Sequence, residues 1–210
     1  MKVISLLSRK GGSGKSTLTV HWGVEAQKTK GNRVVLIDTD PQGSCSSWYN
    51  KREAETPLLI QSNTKTIKDH IEACRADGIN FVIVDTVPDI NNLAVHAARV
   101  SDLVVIPVRP SVLDLESISA SIELAEGIGL PAVIVLNQAP PSSTITDEAK
   151  TALTNYSLPI CPVPIFNRLI FCRAMIDGRV AGEIERKGKA ATEIRKSWQW
   201  ISSQLTGVES

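Results

Sequence analysis

Residues 9 to 17 read Arg9-Lys10-Gly11-Gly12-Ser13-Gly14-Lys15-Ser16-Thr17, with three glycines in four positions followed by a lysine and two hydroxyls. Glycines at 11, 12 and 14 let several backbone N–H groups turn inward and form a concave nest for an anion. A helix opening at Lys15 adds the partial positive charge of its N-terminus at the same place. Lys15 is then spaced to reach the β- and γ-phosphates of a nucleotide, and Ser16 can offer its hydroxyl to Mg²⁺. The plainer alternative is a glycine turn with an incidental lysine. Context argues against it: Val3-Ile4-Ser5-Leu6-Leu7 precedes the loop as a strand, and helical spacing follows it.

Three carboxylates complete the candidate chemistry. One apolar run ends Leu36-Ile37-Asp38-Thr39-Asp40-Pro41-Gln42-Gly43 and another ends Ile83-Val84-Asp85-Thr86-Val87-Pro88. Side chains two apart on a strand leave the same face, and Pro41 ends the ladder. Each aspartate could equally be a strand-end cap or turn former. In open parallel sheets, however, ligands lie beyond the carboxyl ends of strands, so Asp38, Asp40 and Asp85 should gather near the glycine loop.

The elements that must position these groups are legible as an alternation. Residues 3–7, 34–37, 81–84, 103–106 and 133–136 are short and rich in β-branched residues, without polar alternation, as strands buried on both faces read; 57–60 is a weaker candidate. Helical spacing occupies roughly 15–30, 64–77, 91–100, 114–127 and 146–156, with Asp114 as an N-cap and Gly31 and Gly78 at helix ends. Strands alternating with helices imply parallel pairing through right-handed crossovers, hence a three-layer α/β/α sandwich around a mostly parallel sheet. Pro140-Pro141-Ser142-Ser143 is the most loop-like stretch but too short to divide domains, so residues 1–210 are expected to form one domain.

Composition excludes several classes. The chain has 210 residues, 23 Lys+Arg against 22 Asp+Glu, and 42% hydrophobic residues, the arithmetic of a folded domain rather than a charged tail. No apolar run reaches the roughly 18–20 residues needed to span a bilayer, and the amino terminus does not read as a secretory signal. Cys45, Cys74, Cys161 and Cys172 show no paired spacing, which disfavours a disulfide framework and makes a reducing cytoplasm the default. Aromatics at 4% leave little for a base-stacking surface. His21, His70 and His96 share no metal-ligand spacing, and Trp22 and Trp48 read as packing residues.

The loop departs from G-x-x-x-x-G-K-[ST] because Arg9 stands where the first glycine would be, with a second lysine, Lys10, beside it. K-G-G-x-G-K-[ST]-T resembles the deviant Walker A loop of the ParA/MinD superfamily of P-loop ATPases. D-x-D-P-Q-G resembles that family's switch segment, and the strand ending in Asp85 its Walker B, although Asp85-Thr86-Val87-Pro88 differs slightly from the usual D-x-P-P. The resemblance continues through Ser101–Val108, Pro110-Ser111 with Leu113-Asp114, Val135-Leu136-Asn137-Gln138, and Pro162-Val163-Pro164-Ile165 followed by Arg168 and Ala174–Gly178. It implies ATP and Mg²⁺ as cofactors, with Gly11, Gly12, Ser13, Gly14, Lys15, Ser16 and Thr17 around the phosphates. Asp40 would orient or activate the attacking water, Asp38 would help arrange the Mg²⁺ shell and loop, and Asp85 would hold Mg²⁺ through a water. Lys10 would reach the nucleotide of a second subunit, as an arginine finger does in trans; its alternative is a solvated loop lysine. Asn137 could pair with the adenine edge, or be an ordinary strand-end residue. Pro162–Ile165 would be the final strand, with Pro164 among the nucleotide-binding residues, and Arg168 with Ala174–Gly178 the adenine-side loop. Because the chain starts at its first strand, the resemblance is to small ParA-type (ParF-like) plasmid partition proteins without an amino-terminal helix-turn-helix.

From Arg168 to Trp200 there are eight basic residues against four acids. Of these bases Arg173, Arg179, Arg186, Lys187, Lys189, Arg195 and Lys196 are candidates for a sequence-independent grip on DNA phosphates, doubled in a dimer. The alternative is a solvated helix face, since Glu183, Glu185 and Glu193 interleave. The expectation is thus an ATP-driven DNA partition switch, cytoplasmic and nucleoid-associated, with a ParB-like or small ribbon-helix-helix partner. A MinD-like or other positioning or assembly ATPase acting on a membrane site or protein complex is the first alternative; a small-molecule kinase or ligase and a non-catalytic nucleotide-binding scaffold rank lower. Stable membrane association is not expected: Trp198, Ile201 and Leu205 form a stripe better suited to core packing, and the tail 206–210 is acidic and weakly apolar.

Overall fold

Strands β1 (Lys2–Leu6), β2 (Val34–Asp38), β3 (Leu58–Gln61), β4 (Phe81–Asp85), β5 (Leu103–Val108) and β6 (Ala132–Leu136) pair in parallel in the order β3-β2-β4-β1-β5-β6. They belong to a computed structural model that describes residues 1–87, 92–141 and 144–205. Pro88, the helix start expected at Asn91, Ser142 and Ser143, and the tail 206–210 lie outside the described residues. The chain leaves β1 toward β2 on one side and crosses from β4 to β5 on the other, so the strand order reverses at the end of β1. That reversal opens the crevice in which the glycine loop sits.

Helix α1 (Lys15–Gln27) packs on one face together with the C-terminal helix α10 (Lys189–Gln204). Between that helical layer and the sheet, Ile4, Leu6, Leu36, Ile83 and Val105 meet Leu18, Trp22, Trp198 and Ile201. Alternate strand residues point the other way: Val3, Val35, Ile37 and Val82 pack on α3 (Ile67–Ala76), and Val104, Ile106 and Ile134 on the helices nearer β6. Helices thus cover both faces, as near-continuous apolar strands require. The Trp198–Ile201–Leu205 stripe is buried in this core, and among the described residues no helix is long and apolar enough to cross a membrane.

Several boundaries differ from the sequence reading. The expected helix 114–127 is two helices, α5 (Val112–Ser117) and α6 (Ser119–Ile128). Asp114 is not the N-cap: Ser111 caps α5, its Oγ accepting from the Asp114 N–H, and Asp114 sits in the first turn. Short α2 (Ser44–Tyr49) follows the Asp38–Gly43 segment, α4 spans Asn92–Arg99, and α7 spans Thr144–Leu153. Residues 159–167 are not a final strand. They run beside β6 with isolated bridges at Ile160 and Phe166, because Pro159, Pro162 and Pro164 remove the donors a ladder needs. Two further helices, α8 (Leu169–Ile176) and α9 (Ala181–Ile184), lead from there to α10.

His21 ties this C-terminal segment to α1. Its Nδ1 donates to Thr17 O at 2.7 Å, Nε2 accepts the Ala181 N–H at 3.0 Å, and the ring stands edge-on to Phe171. Burial pushes the imidazole from its ordinary 6.5 down to about 4, so it is neutral in the folded chain. The unfolded chain binds the extra proton first, so stability present above pH 6.5 is lost on acidification toward pH 4. The loss attributable to His21 is about 3 kcal/mol. Urea titrations across that range should show a shallower acid loss for His21→Gln, which keeps a donor and an acceptor but cannot charge.

Candidate nucleotide site

The loop between β1 and α1 takes the shape that its glycines permit. Gly12 and Gly14 lie in the left-handed region, at φ +75° and +90°. At Gly14 a side chain is excluded twice over: the backbone is left-handed, and a Cβ would stand 2.2 Å from Asn137 Nδ2. Gly14 is also the residue that starts α1, leaving the N–H groups of the first turn free toward the crevice. Loop and helix start form one end of a cavity of about 520 Å³, lined there by Gly12 to Leu18 and by Asp40. Asn137, Gln138, Ile165 to Arg168, Phe171, Cys172 and Met175 complete the lining.

Lys15 is buried, and its Nζ lies at the long limit of a hydrogen bond, 3.5 Å, from Ser8 O. Burial lowers its pKa, opposed by the nearby charges of Asp85 and Asp40. Asp85 is completely buried and pushed up to about 7 by that burial, against the Ser16 and Cys45 hydrogen bonds to it. Its Oδ2 accepts from Cys45 Sγ at 3.2 Å, while its Oδ1 is buried without a partner. Ser13 Oγ is a second buried group with none. A phosphate at Ser13 and Lys15 and a divalent cation at Asp85, with the Ser16 hydroxyl beside it, would satisfy these groups, so the chemistry of a magnesium nucleotide fits the residues present.

The other aspartates divide their tasks. Asp40 lines the cavity at its phosphate end, half-buried, with Oδ1 accepting the Gln42 N–H at 2.9 Å. Asp38 lies outside the lining, with both oxygens engaged by protein. Oδ2 accepts from Ser46 N and Ser46 Oγ at 2.9 and 2.8 Å, and Oδ1 from the Asp40 N–H at 3.1 Å. Asp38 therefore fastens the first turn of α2 and sets the path of the Asp40 loop.

Asn137 is engaged with the loop: Nδ2 donates to Ser13 O at 2.7 Å. Gln138, itself left-handed at φ 52°, donates to Gly12 O at 2.9 Å. Two loop carbonyls are thus held outward, the orientation that leaves the neighbouring N–H groups for an anion. Pro164 does not line the cavity; Ile165 to Arg168 do. Arg168 is held by Glu193 of α10 through Nε and Nη2, the shortest contact being 2.5 Å, and its guanidinium lies 5.4 Å over the Phe166 ring. Gly11 and Lys10 do not line the cavity either. Cys45 had no signal of its own in the sequence, and Gln138 and Arg168 entered only as parts of the family resemblance, because their roles come from contacts across the fold.

All seven candidate DNA-contacting bases are exposed. Arg179 pairs with Asp177 at 3.1 Å, whereas Arg173, Arg186, Lys187, Lys189, Arg195 and Lys196 have no ion pair among the described residues. Two of the interleaving acids are occupied elsewhere, Glu183 by Arg52 and Glu193 by Arg168.

An all-parallel sheet with a phosphate-binding loop at its reversal point defines a P-loop nucleotide-binding protein. The family described as CobQ/CobB/MinD/ParA nucleotide binding domain (CbiA) matches residues 4–178, and the chain belongs to it. A similar protein over nearly the whole length is the "Maintenance of carboxysome distribution protein A" of Halothiobacillus neapolitanus, 27% identical over 200 residues and covering 90% of this chain and 91% of that protein. "Protein ParA" of Rhizobium radiobacter is 36% identical over 130 residues, covering 59% of this chain and 56% of that one. Among solved structures, the septum site-determining protein MinD of Pyrococcus horikoshii, complexed with Mg-ADP, superposes with a TM-score of 0.77 at 16% identity, covering 100% of this chain and 98% of that one. ATP and Mg²⁺ are the cofactors of this family of P-loop ATPases, as expected from the loop.

Replacing Gly14 by Ala should weaken binding of a fluorescent ADP analogue by more than about tenfold, because a left-handed backbone and a displaced Asn137 both deform the anion nest.

Proposed function

We propose that residues 1–210 act as one ATP-hydrolysing partition switch, which dimerises around nucleotide and holds non-specific DNA only in that state. Lys15 and the loop N–H groups bind the phosphates, Ser16 and Asp85 hold Mg²⁺, and Asp40 orients the attacking water. Bound MgATP supplies the γ-phosphoryl group whose loss resets the switch. Lys10 reaches the partner copy's nucleotide. The observation that carries the DNA reading is the set of exposed bases on and before α10 without acid partners. A two-fold dimer doubles them into a patch suited to phosphate backbone. Turnover is slow until a DNA-bound partner, ParB-like or of ribbon-helix-helix type, accelerates it. The molecule then resides in the cytoplasm on the nucleoid.

A second reading changes the cargo. The end-to-end likeness to a carboxysome distribution protein supports positioning of a large protein assembly by the same ATPase cycle. The two share the DNA-bound dimer and differ in which cargo is misplaced when the gene is deleted.

Wild-type protein should retard random duplex DNA with ATP and not with ADP, losing more than about tenfold in affinity as salt rises from about 50 to about 200 mM. Lys196→Glu combined with Arg195→Glu should abolish retardation while leaving ATP-driven dimerisation intact. Retention on anionic vesicles without DNA retardation would overturn the DNA reading.

Lys10→Ala should still bind nucleotide, fail to dimerise on ATP in light scattering, and lose roughly 10³-fold in phosphate release.

A further inference from the structure

Lys10 and Arg109 converge on one carboxylate. Asp114, 5% exposed in the first turn of α5, accepts from Arg109 Nε and Nη2, both at 3.1 Å, and faces Lys10 Nζ at 3.6 Å. Ser111 Oγ also hydrogen-bonds to it. Burial would raise the Asp114 carboxyl, but the Ser111 hydroxyl and the Arg109 guanidinium outweigh it and hold the group below its ordinary range.

Arg109 lies against the phosphate loop: a Cβ on Gly12 would come 3.8 Å from its Nη1. Yet neither Arg109 nor Lys10 lines the nucleotide cavity. Both side chains remain about a third exposed, at 36% and 34%. One carboxylate cannot neutralise two cations, so this outer side of the loop carries uncompensated positive charge. Val112 and Leu113, which start α5 beside it, are 70% and 67% exposed. A surface of two cations flanked by apolar side chains, next to a phosphate site but outside it, suits an anionic group presented by another molecule.

We propose that Arg109 is a second trans-acting cation, which leaves Asp114 together with Lys10 to engage the phosphates of the nucleotide held by a second copy of this chain. The inference rests on the nucleotide-bridged dimer proposed above. A guanidinium offers a planar fork to two phosphate oxygens, which an ammonium cannot do. A triphosphate also carries several charges to the carboxylate's one, so it wins both cations once brought within reach. Until then Asp114 keeps them from pairing elsewhere. No covalent step is assigned to Arg109: it stabilises charge on the transferring phosphoryl group, as Lys10 does.

Three measurements test this. Arg109→Ala should bind a fluorescent ADP analogue within about twofold of wild type, yet lose about tenfold or more in ATP turnover. Arg109→Lys, which retains an ion pair with Asp114, should keep the wild-type melting temperature and still lose turnover several-fold, which separates the effect from misfolding. Equal mixtures of Arg109→Ala and Asp40→Ala decide the source of the cation. A trans role restores phosphate release, because the Asp40→Ala copy lends its Arg109 to the intact site of its partner. A Lys10→Ala and Asp40→Ala mixture serves as the parallel case. Wild-type turnover in both Arg109 variants would overturn the inference, and inactive Arg109→Ala mixtures would overturn the trans assignment. If wild-type protein fails to dimerise on ATP, the underlying reading falls as well; if wild type dimerises and Arg109→Ala is unimpaired, this inference falls alone.

Discussion

A fully buried carboxylate with one oxygen unpartnered, a buried ammonium at the limit of hydrogen-bond reach, and a buried hydroxyl with no partner gather at the phosphate loop, the carboxylate behind the cavity lining rather than in it. Each costs free energy unless something completes it. The fold concentrates them where the strand order reverses, and every neighbouring element serves to hold them there. Asp38 is spent on the start of α2 so that Asp40 can face inward. Asn137 and Gln138 are spent on loop carbonyls so that loop N–H groups remain available. The site is a set of half-satisfied charges that one polyanion with its cation would complete.

Part of the cavity lining is held directly by the basic helix α10. Glu193 of α10 accepts from Arg168 and from the Phe166 N–H, and both of those residues line the cavity. His21 links the first turns of α1 to Phe171 and Ala181 on the same side. The cavity lining and α10 are therefore in direct contact.

Much of this was legible in the residues. The strands declared themselves because both sheet faces are covered, which leaves their apolar runs unbroken. The glycine loop and the strand-end aspartates were legible because nest geometry and strand ends tolerate few residue types. What was not legible depends on contacts between distant segments. Asp114 looked like a cap, but Ser111 three residues earlier competes for the same helix start and wins, leaving Asp114 to collect Arg109 and Lys10. Asn137 could be read toward a base, and its hold on Ser13 O is visible only once β6 is placed beside the loop. The family resemblance implied a last strand at Pro162–Ile165, but the missing donors of three nearby prolines leave only isolated bridges there.

Those prolines have a consequence for how copies can associate. Residues 159–167 cover the open side of β6 with a segment whose inward N–H groups at Cys161 and Ile165 are used, while Pro162 and Pro164 have none to offer outward. A neighbouring chain arriving at that border finds too few donors to stitch on another strand. Growth of a continuous sheet from copy to copy is therefore disfavoured at the β6 flank, which leaves β3 as the sheet's other border.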